Sequence, residues 1–583
     1  MINAKITKIF YQIAEYLLMK DVAFKPQAYE RSARLIESME EDLEDIYKKG
    51  GVKALLKIEG IGQSLAEKIE EFIKTGKIKE YEKLKKECPV DLESLTAIEG
   101  IGPKTIRTLY EKLHVKTLKD LEKAAKAHKV QKLPRFGPKV EENILTGIEF
   151  AKGSHGRFLL GFILPLVRKI EKRLKDLDFV SETVAAGSVR RMKETIGDID
   201  ILVISNNPSK VMDFFCRMPE VQKIIARGET KSSVRLDLGL DADVRVVPKE
   251  SFGAALQYFT GNKDHNIELR KIAQYKKLKL NEYGLFHGKK QVAGKTEEEV
   301  YKILGLEWME PELRENTGEI EASLLCQPAD QGKPGGLPKL VDYKDIKGDL
   351  QMHSEWSDGA HSIKEMAEGA RELGHEYIAI TDHTGELRIA GGMDEQTILK
   401  YFAEIDKVDK SLKDIKILKG LETNIRKDGT IDISDKVLAK ADIVLASVHS
   451  NFKMSREQQT KRICRAMGNP HIDIIAHPTA RVIQGRPGYE VDFDELFACA
   501  KRTGTVLEIN SYPDRLDLSD VNIKRAIGAG VKLSIGTDSH SKNQLRNIEF
   551  GIAQARRGWA EHGDIINTMN YQELMNFLET HKK

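Results

Sequence analysis

The chain has 583 residues, of which 93 are Lys or Arg and 90 are Asp or Glu, so its formal net charge at pH 7 is only +3. This length predicts several domains, because a single hydrophobic core rarely grows beyond about 250–300 residues, and the even charge balance neither demands nor excludes nucleic acid as a partner. The five cysteines form no Cys-x-x-Cys pair and no apolar run approaches the roughly 18 residues of a membrane span, so we expect a cytoplasmic protein with reduced thiols and no membrane association.

The first 150 residues have a helical pattern that short glycine-rich turns interrupt. Two turns share the sequence Ile-Glu-Gly-Ile-Gly, with Gly60 and Gly62 in the first and Gly100 and Gly102 in the second, and each precedes a lysine-rich helix. This is the helix-hairpin-helix pattern, in which glycines let N–H groups at a helix start approach a DNA phosphate. We therefore predict DNA-backbone binding at both turns; a plain helix–helix turn is the alternative. A third turn, over 133–139, lacks the paired glycines.

Two aspartates one residue apart, Asp198 and Asp200, are the strongest chemical signal in the chain. Residues i and i+2 of a strand point to one face, so the two carboxylates would project together in front of an apolar core. Paired carboxylates repel each other unless a cation lies between them, and Mg²⁺ prefers carboxylate, water and phosphate oxygens. A third carboxylate, Asp243, lies in another alternating run that can pair beside the first. The pattern predicts a phosphoryl-transfer site; an exposed acidic turn is the alternative.

The residues around these aspartates also suit a phosphate ligand. Gly187 and Ser188 offer backbone N–H groups and a hydroxyl in a loop, and Arg190 and Arg191 add guanidinium donors. With Gly-Asp-Ile-Asp at 197–200, Asp243 and the run from 258 to 270, these residues closely resemble the palm of the family X DNA polymerases, the group that contains DNA polymerase beta.

The resemblance implies nucleotide addition to a primer. Asp198, Asp200 and Asp243 would hold Mg²⁺ or Mn²⁺ while the primer 3′-hydroxyl attacks the α-phosphate in line and pyrophosphate leaves. By the same resemblance the residues that contact the nucleotide are Gly187, Ser188, Arg191, Tyr258, Phe259, Gly261, Lys263, Asn266 and Arg270. Tyr258 and Phe259 would lie near the sugar, and Asn266 and Arg270 near the minor-groove side of the new pair. Lys263 departs from the family, which is acidic near this position; it could stack on the base or hold the triphosphate, or be a solvated loop lysine.

The segment 56–85 resembles the small amino-terminal domain of DNA polymerase beta. Lys68 falls where lyase members of the family carry the lysine whose Schiff base removes 5′-deoxyribose phosphate. The alternative is a surface helix lysine. Tyr29 and Lys25 match positions of the phosphate pocket, whereas Ser64 and Glu80 stand where lysines are expected, so the match is partial.

After a thumb of mixed helix and hairpin, the run 327–338 is rich in Gly and Pro and is predicted to be a flexible linker. From about Lys347 onward, short apolar strands alternate with helices, which predicts a parallel β/α barrel. Nearly every strand is followed by a potential metal ligand, at the end where such barrels build active sites: His353, Asp358, His383, Glu422, His449, His477, Asp538 and His540. Mixed imidazole and carboxylate ligands suit Mn²⁺ or Zn²⁺ better than Mg²⁺.

This series resembles the polymerase and histidinol phosphatase (PHP) domain, whose members hold up to three metal ions and hydrolyse phosphoesters. One position departs from the family pattern. Gln351 stands where the first imidazole of a His-x-His pair is expected, and as a metal ligand it can offer only an amide oxygen.

The two resemblances predict a multidomain α+β and α/β chain with helical helix-hairpin-helix domains, a nucleotidyltransferase palm with a mixed sheet, a thumb and a C-terminal PHP barrel. The expected domains are an N-terminal lyase-like domain (1–88), a fingers-type domain (89–150), the palm (151–248), the thumb (249–316), a linker (317–345) and the PHP domain (346–583).

The fusion matches the bacterial and archaeal form of polymerase X and implies gap filling in DNA repair, including base excision repair. Gapped or nicked duplex DNA and dNTPs would be the partners of a monomer, and the barrel would add 3′-to-5′ exonuclease or related 3′-end processing. Three alternatives stay open: a nucleotidyltransferase with another acceptor, a barrel that is only a structural metal-binding module, and a DNA-binding scaffold without catalysis.

Overall fold

The protein is described from a computed structural model, which covers residues 2–22, 25–37, 39, 41–58, 60–96, 98, 101–134, 136–138, 140–141, 144–145, 148, 156–324, 336–385, 387 and 390–581. The N-terminal part is helical, as predicted, with α1 (Ile2–Met19), α2 (Lys25–Glu37), α3 (Leu43–Leu55), α4 (Gln63–Thr75), α5 (Lys79–Glu87), α6 (Leu92–Thr96), α7 (Pro103–Leu113) and α8 (Leu118–Lys126). Their apolar faces share one core that includes Phe10, Ile69 and Ile106, because each helix repeats apolar residues at a helical period.

The palm is built on a five-stranded mixed sheet. Its elements are β1 (Phe158–Leu159), α9 (Leu160–Lys175), β2 (Val180–Ala185), α10 (Gly187–Arg190), β3 (Thr195–Ile196), β4 (Asp198–Ser205), α11 (Pro208–Cys216), β5 (Val221–Arg227), β6 (Lys231–Leu236) and β7 (Asp241–Val246). The sheet order is β2-β4-β7-β6-β5, and β4 and β7 run parallel while the other neighbours are antiparallel. The predicted pairing of the two aspartate-bearing strands is therefore present.

The thumb combines helices with a small antiparallel sheet, as expected. It contains α12 (Phe252–Thr260), α13 (Lys263–Tyr275), β8 (Lys279–Asn281), β9 (Gly284–His287), β10 (Lys290–Ala293), α14 (Glu297–Leu304) and α15 (Glu319–Ala322). Leu269, Val300 and Leu304 belong to its core. On the palm side, Ala255 and Leu256 of α12 pack with Leu202 of β4, which fixes the start of the thumb against the strand that carries Asp198 and Asp200.

The C-terminal domain is the predicted β/α barrel. Its elements are β11 (Gly348–Met352), α16 (Ile363–Glu372), β12 (Tyr377–Ile380), α17 (Glu395–Ser411), β13 (Lys416–Asn424), α18 (Asp435–Leu438), β14 (Ile443–Ser447), α19 (Arg456–Met467), β15 (Ile474–Ile475), α20 (Phe493–Thr503), β16 (Val506–Asn510), α21 (Asp520–Gly528), β17 (Leu533–Gly536), α22 (Ile548–Arg557) and α23 (Tyr571–His581). Neighbouring strands pair in parallel and in chain order. A bridge between Met352 and Ser539 brings the last strand back to the first.

The barrel packs directly on the palm, which the sequence did not predict. Leu516 and Phe550 of the barrel enter the palm core beside α9, and the Arg168 guanidinium lies 2.7 Å from the Glu549 carboxylate. Most of the predicted flexible linker, residues 327–335, lies outside the described part of the chain. On either side of it, Ile320 and Val341 are buried. No helix among the described residues is both long enough and apolar enough to cross a membrane.

Candidate functional site

The palm carboxylates meet where β4 and β7 begin. Asp200 lies directly opposite Asp243, and Asp198 lies opposite Asp241. The Asp241 carboxylate pairs with Arg235 instead, with 3.0 Å between Oδ2 and Nη2. Asp243 therefore remains the candidate third ligand on this strand. Burial, together with the charges of Asp198 and Asp243, raises the pKa of Asp200 to about 6.

A lysine that the sequence reasoning did not single out also lies in this site. Lys231, at the start of β6, places Nζ 2.7 Å from Oδ2 of Asp243. Its proximity depends on the antiparallel pairing of β6 with β7, which no local pattern signals. Burial and the two neighbouring carboxylates raise the pKa of Asp200 although Arg245 and Lys231 act in the opposite direction, and hard oxygen donors that repel one another fit a divalent cation.

The pKa of Asp200 predicts how the metal requirement changes with pH. An ion must displace the proton of Asp200, so apparent metal affinity should fall as the pH drops through about 6. We expect the Mg²⁺ concentration for half-maximal primer extension to rise up to about tenfold per pH unit below that value and to level off above about pH 7. Metal titrations of the extension rate between pH 5.5 and 8 would measure it, and a constant half-maximal concentration would contradict the assignment.

The loop before β4 brings backbone and an arginine to the carboxylates. Gly187 has φ +61°, and a Cβ there would lie 3.2 Å from Oδ2 of Asp200, so only glycine allows this close approach without strain. Ser188 follows in the short helix α10. The Arg191 side chain donates from Nη1 to the Thr260 carbonyl and from Nε to Glu315, at 2.9 Å for the latter. Arg191 therefore joins the aspartate loop to the end of α12.

Arg190, expected to be a phosphate donor, has a different place. Its two terminal nitrogens each donate to Glu297 at 2.8 Å, and Arg314 donates to the same buried carboxylate. These guanidiniums hold the pKa of Glu297 far below its usual range although burial alone would raise it. The network stabilises the palm–thumb junction, and Arg190 is not free to bind a phosphate. This pairing could not be predicted from the sequence because Glu297 lies 107 residues after Arg190.

The predicted nucleotide-selecting residues lie together at the α12–α13 corner. The rings of Tyr258 and Phe259 are in edge contact, with centroids 5.1 Å apart. Asn266 donates to the Tyr258 carbonyl at 2.7 Å, which ties the second helix to the first. Lys263, Asn266 and Arg270 follow at i, i+3 and i+7 of α13 and so share one helix face.

Gly261 stands between the two helices with φ +69°, and a Cβ there would lie 3.2 Å from Nη1 of Arg191. The corner therefore adjoins the loop of Gly187 and Arg191 that approaches Asp200.

The helix-hairpin-helix glycines lie at helix starts that face solvent. Gly62 and Gly102 are exposed and extended, directly before α4 and α7, and a Cβ at either position would meet nothing within 4 Å. Gly60 has φ +87°, which glycine adopts readily. Gly100 lies outside the described residues. The first N–H groups of both helices are thus accessible to a phosphate backbone.

Lys68 lies among the residues that depart from the lyase pattern. Its Nζ donates to Ser64 Oγ at 2.8 Å and lies 3.2 Å from a Glu80 oxygen, which also accepts the Tyr29 hydroxyl at 2.8 Å. Both substitutions therefore contact the lysine itself. The ion pair with Glu80 and the hydrogen bond to Ser64 hold the Nζ that a Schiff base would need.

The barrel ligands converge on Glu422, which lies inside β13 rather than after it. Its Oε1 is 3.0 Å from Nε2 of His477 and 3.2 Å from Nε2 of His449. Its Oε2 is 3.3 Å from Nδ1 of His383 and 3.4 Å from Nε2 of His353. Burial would raise the pKa of Glu422, but the surrounding imidazoles hold it well below its usual range.

The remaining predicted ligands complete the cluster. Asp358 places Oδ1 3.3 Å from Nε2 of His540, and Asp538 places Oδ1 3.1 Å from Nε2 of His353. Burial lowers the pKa of His383 to about 3, whereas the carboxylates of Asp538 and Glu422 raise that of His353 to about 10 against the effect of burial. In the described part of the chain, the residue groups that offer ligand atoms within 4.8 Å of one another are His353, Asp358, His383 and His540; His383, Glu422 and His449; and His353, Glu422 and Asp538.

The donor atoms of this cluster fit divalent cations. Glu422 Oε2 and His383 Nδ1 are 3.3 Å apart but make no hydrogen bond, and His477 Nδ1 also has no partner. All three atoms are buried, which is costly unless another group satisfies them. Gln351 is fully buried and both of its amide atoms lack a partner as well. Its amide is therefore a further buried polar group without a partner, on β11 two residues before His353.

Sequence reasoning missed two polar residues on β16. Asn510 donates to Oδ2 of Asp538 at 3.1 Å, and Glu508 accepts the backbone N–H of His477 at 2.6 Å. A glutamate and an asparagine inside an otherwise apolar strand, Val-Leu-Glu-Ile-Asn, were the available signal.

Four family models match parts of the chain. They describe a helix-hairpin-helix domain (1–78), a SAM-like helix-hairpin-helix tandem (92–149), a DNA polymerase beta thumb (255–315) and a PHP domain (349–512). The DNA polymerase/3′-5′ exonuclease PolX of Bacillus subtilis (strain 168) is 37% identical over 98% of this chain and 99% of its own length. The chain belongs to DNA polymerase family X. As a member of this family it carries a C-terminal PHP domain.

Shorter relatives match part of this family X chain. A probable phosphatase of Thermoanaerobacter sp. (strain X514) is 30% identical over 40% of this chain and 96% of its own length. A probable phosphatase of Caldanaerobacter subterraneus subsp. tengcongensis is 32% identical over 33% of this chain and 76% of its own length. The family and the barrel's His, Asp and Glu groups together imply dependence on divalent metal.

Proposed function

We propose that this family X polymerase fills short gaps in DNA during repair and that its barrel removes nucleotides from DNA 3′ ends. The register of β4 and β7 carries the proposal, because it places Asp200 opposite Asp243 beside the Gly187 loop and the Tyr258–Phe259 corner. A generic nucleotidyltransferase acceptor would not need the exposed helix starts at Gly62 and Gly102, which suit a duplex backbone.

In the palm, Asp198, Asp200 and Asp243 would hold Mg²⁺ or Mn²⁺, which supplies charge neutralisation at the phosphates and activates the primer hydroxyl when bound. The N–H groups of the Gly187–Ser188 loop and the guanidinium of Arg191 would orient the triphosphate. The rings of Tyr258 and Phe259 would then limit where the sugar can lie. These residues position the nucleotide, which is the main protein contribution to phosphoryl transfer.

In the barrel, the imidazoles and carboxylates around Glu422 would hold Mn²⁺ or Zn²⁺, up to three ions, which would supply an activated water and stabilise the leaving oxygen. Glu422 orients four imidazoles at once, since each of its oxygens faces two of them. The partly exposed Arg515 side chain lies 3.7 Å from Asp538. Its charge would attract a DNA phosphate to this cluster of ligands.

The proposed substrate is a gapped or nicked duplex, bound by a monomer in the cytoplasm. One experiment tests the function as a whole: a gapped, 5′-phosphorylated duplex is incubated with and without dNTPs, in Mg²⁺ or Mn²⁺, and the products are separated on a sequencing gel. We expect extension to the gap end with dNTPs and shortening from the 3′ end without them. Inactivity under all conditions would favour a DNA-binding scaffold.

We also propose a weak 5′-deoxyribose phosphate lyase activity at Lys68. Because Glu80 pairs with Lys68 at 3.2 Å, Glu80→Gln should release the lysine side chain toward a substrate and raise borohydride trapping of a nicked abasic duplex several-fold. Lys68→Ala should abolish trapping. Lys74→Ala is the matched control, since this lysine lies on the same helix and pairs with Glu70. Equal trapping by wild type and Lys68→Ala would assign the activity elsewhere.

A further inference from the structure

The last residue of barrel helix α22 reaches the nucleotide loop of the palm. The Arg557 side chain is 1% exposed, and its Nη1 donates to the backbone carbonyl of Arg191 at 2.8 Å. Its Nη2 donates to Asp520 of the barrel at 2.5 Å, which anchors the guanidinium on its own domain. A fully buried arginine is rarely found without charged partners, and Arg557 has partners on both sides of the domain boundary.

The two arginines share one carboxylate. Oε1 of Glu315 accepts from Arg191 Nε at 2.9 Å and from Arg557 Nη1 at 3.2 Å, while Oε2 accepts from Asn262 Nδ2 at 3.0 Å. Burial would raise the pKa of Glu315, but Arg557, Arg191 and Lys193 together lower it, so the group is a carboxylate at neutral pH. Its single negative charge is therefore shared by two palm cations, Arg191 and Lys193, the latter at 3.7 Å, and by the barrel arginine Arg557.

This sharing bears on the availability of Arg191. A guanidinium that must contact a triphosphate has to release or loosen its pairing with Glu315, and the cost of doing so depends on what else neutralises that carboxylate. With Arg557 in place, Glu315 retains a partner when Arg191 turns to the nucleotide. Without it, the other cation left beside Glu315 would be Lys193 at the longer distance of 3.7 Å, so Glu315 would hold Arg191 more strongly, and the Arg191 carbonyl would lose its donor.

We propose that Arg557 is a positioning residue of the polymerase site, through which the docked PHP barrel sets the affinity for the incoming nucleotide by neutralising Glu315 and leaving Arg191 available. The inference rests on the proposed role of Arg191 in holding the triphosphate. The hydrogen bonds and ion pairs of Arg557 in the described structure go to Arg191, Glu315 and Asp520, not to the palm aspartates Asp198, Asp200 and Asp243.

The neighbouring residue provides a matched control. Arg556 is also a buried arginine at the end of α22 and also joins the barrel to the thumb side, since its Nε donates to Glu312 at 2.7 Å and its Nη1 to the Val341 carbonyl at 3.0 Å. It has no contact with Arg191 or Glu315 among its hydrogen bonds and ion pairs in the described structure. Loss of Arg556 therefore weakens docking without changing the charge on Glu315.

The test is steady-state insertion of one nucleotide into a gapped duplex by the full chain. Arg557→Ala should raise the KM for dNTP about tenfold with kcat changed less than about twofold, and Arg557→Lys should recover part of the loss. Arg556→Ala should leave the KM near the wild-type value. All three variants should degrade 3′ ends at the wild-type rate, because no barrel ligand is altered.

A double variant separates positioning from loss of structure. In the Arg557→Ala chain, the additional change Glu315→Gln removes the negative charge that would bind Arg191 too strongly. The double variant should therefore return the KM for dNTP toward the wild-type value. An unchanged KM in Arg557→Ala, an equal rise in Arg556→Ala, or no rescue by Glu315→Gln would each overturn the inference. A wild-type chain that inserts no nucleotide would instead refute the proposed gap-filling function. Failure of the Arg557 inference can therefore be told apart from failure of the proposed function.

Discussion

Asp200→Asn should reduce primer extension at least about 1,000-fold, equivalent to about 4 kcal/mol of lost transition-state stabilisation. Asp200 lies opposite Asp243, and burial together with Asp198 and Asp243 raises its pKa to about 6, so a bound cation would stabilise its charged form. The asparagine has the same shape and no charge, so it removes the ligand without opening a cavity. Single-turnover extension of a gapped duplex measures the loss.

Asp241→Asn is the control for this experiment. Asp241 lies in β7 two residues before Asp243, but its carboxylate pairs with Arg235 at the exposed end of the strand. We expect its extension rate to stay within about threefold of wild type, because an exposed ion pair contributes little. DNA binding, measured by fluorescence anisotropy in EDTA, should be the same for both variants. An Asp200→Asn chain that extends primers at the wild-type rate would remove the palm assignment.

Glu422→Gln should abolish 3′-end degradation and lower the amount of tightly bound metal. Each oxygen of Glu422 lies within 3.4 Å of two imidazole nitrogens, and the residue belongs to two of the groups that could hold an ion. The amide loses one charge and one acceptor oxygen, so both ion positions should weaken. Mn²⁺-dependent degradation of a recessed 3′ end and the metal content of the purified chain measure the two effects.

Primer extension separates this result from general damage. The palm carboxylates belong to a different domain, so Glu422→Gln should extend primers within about threefold of wild type in Mg²⁺. Glu457→Gln, an exposed exchange on α19 of the barrel, should leave degradation and metal content unchanged. If Glu422→Gln loses metal while wild type shows no degradation at all, the barrel is the structural module that the sequence left as an alternative.

The local chemistry of both sites could be predicted from the sequence because it depends on short-range order. Asp198 and Asp200 share a face through the period of a strand, Gly62 and Gly102 precede helices, and the barrel ligands follow apolar strands. Glu422 was singled out from the three residues Gly-Leu-Glu alone, although β13 runs two residues beyond it.

What failed was the assignment of partners to charged side chains. Arg190 and Arg191 are neighbours with the same side chain, yet Arg190 pairs with buried Glu297 while Arg191 reaches Thr260 and Glu315. Lys231 approaches Asp243 only because β6 turns back beside β7. Each of these pairs joins residues that a sequence window does not contain, and hydrogen-bond geometry among several possible partners decides between them.

The sequence by itself determined the family and identified the three palm aspartates and the series of barrel ligands as candidates, because strand and helix periods and residue chemistry are local properties. Only the tertiary structure decided that the barrel docks on the palm, that Arg557 shares Glu315 with Arg191, and that Glu80 and Ser64 contact Lys68. Burial and charge pairing across domains depend on how separate cores pack, and packing is a property of the folded chain as a whole.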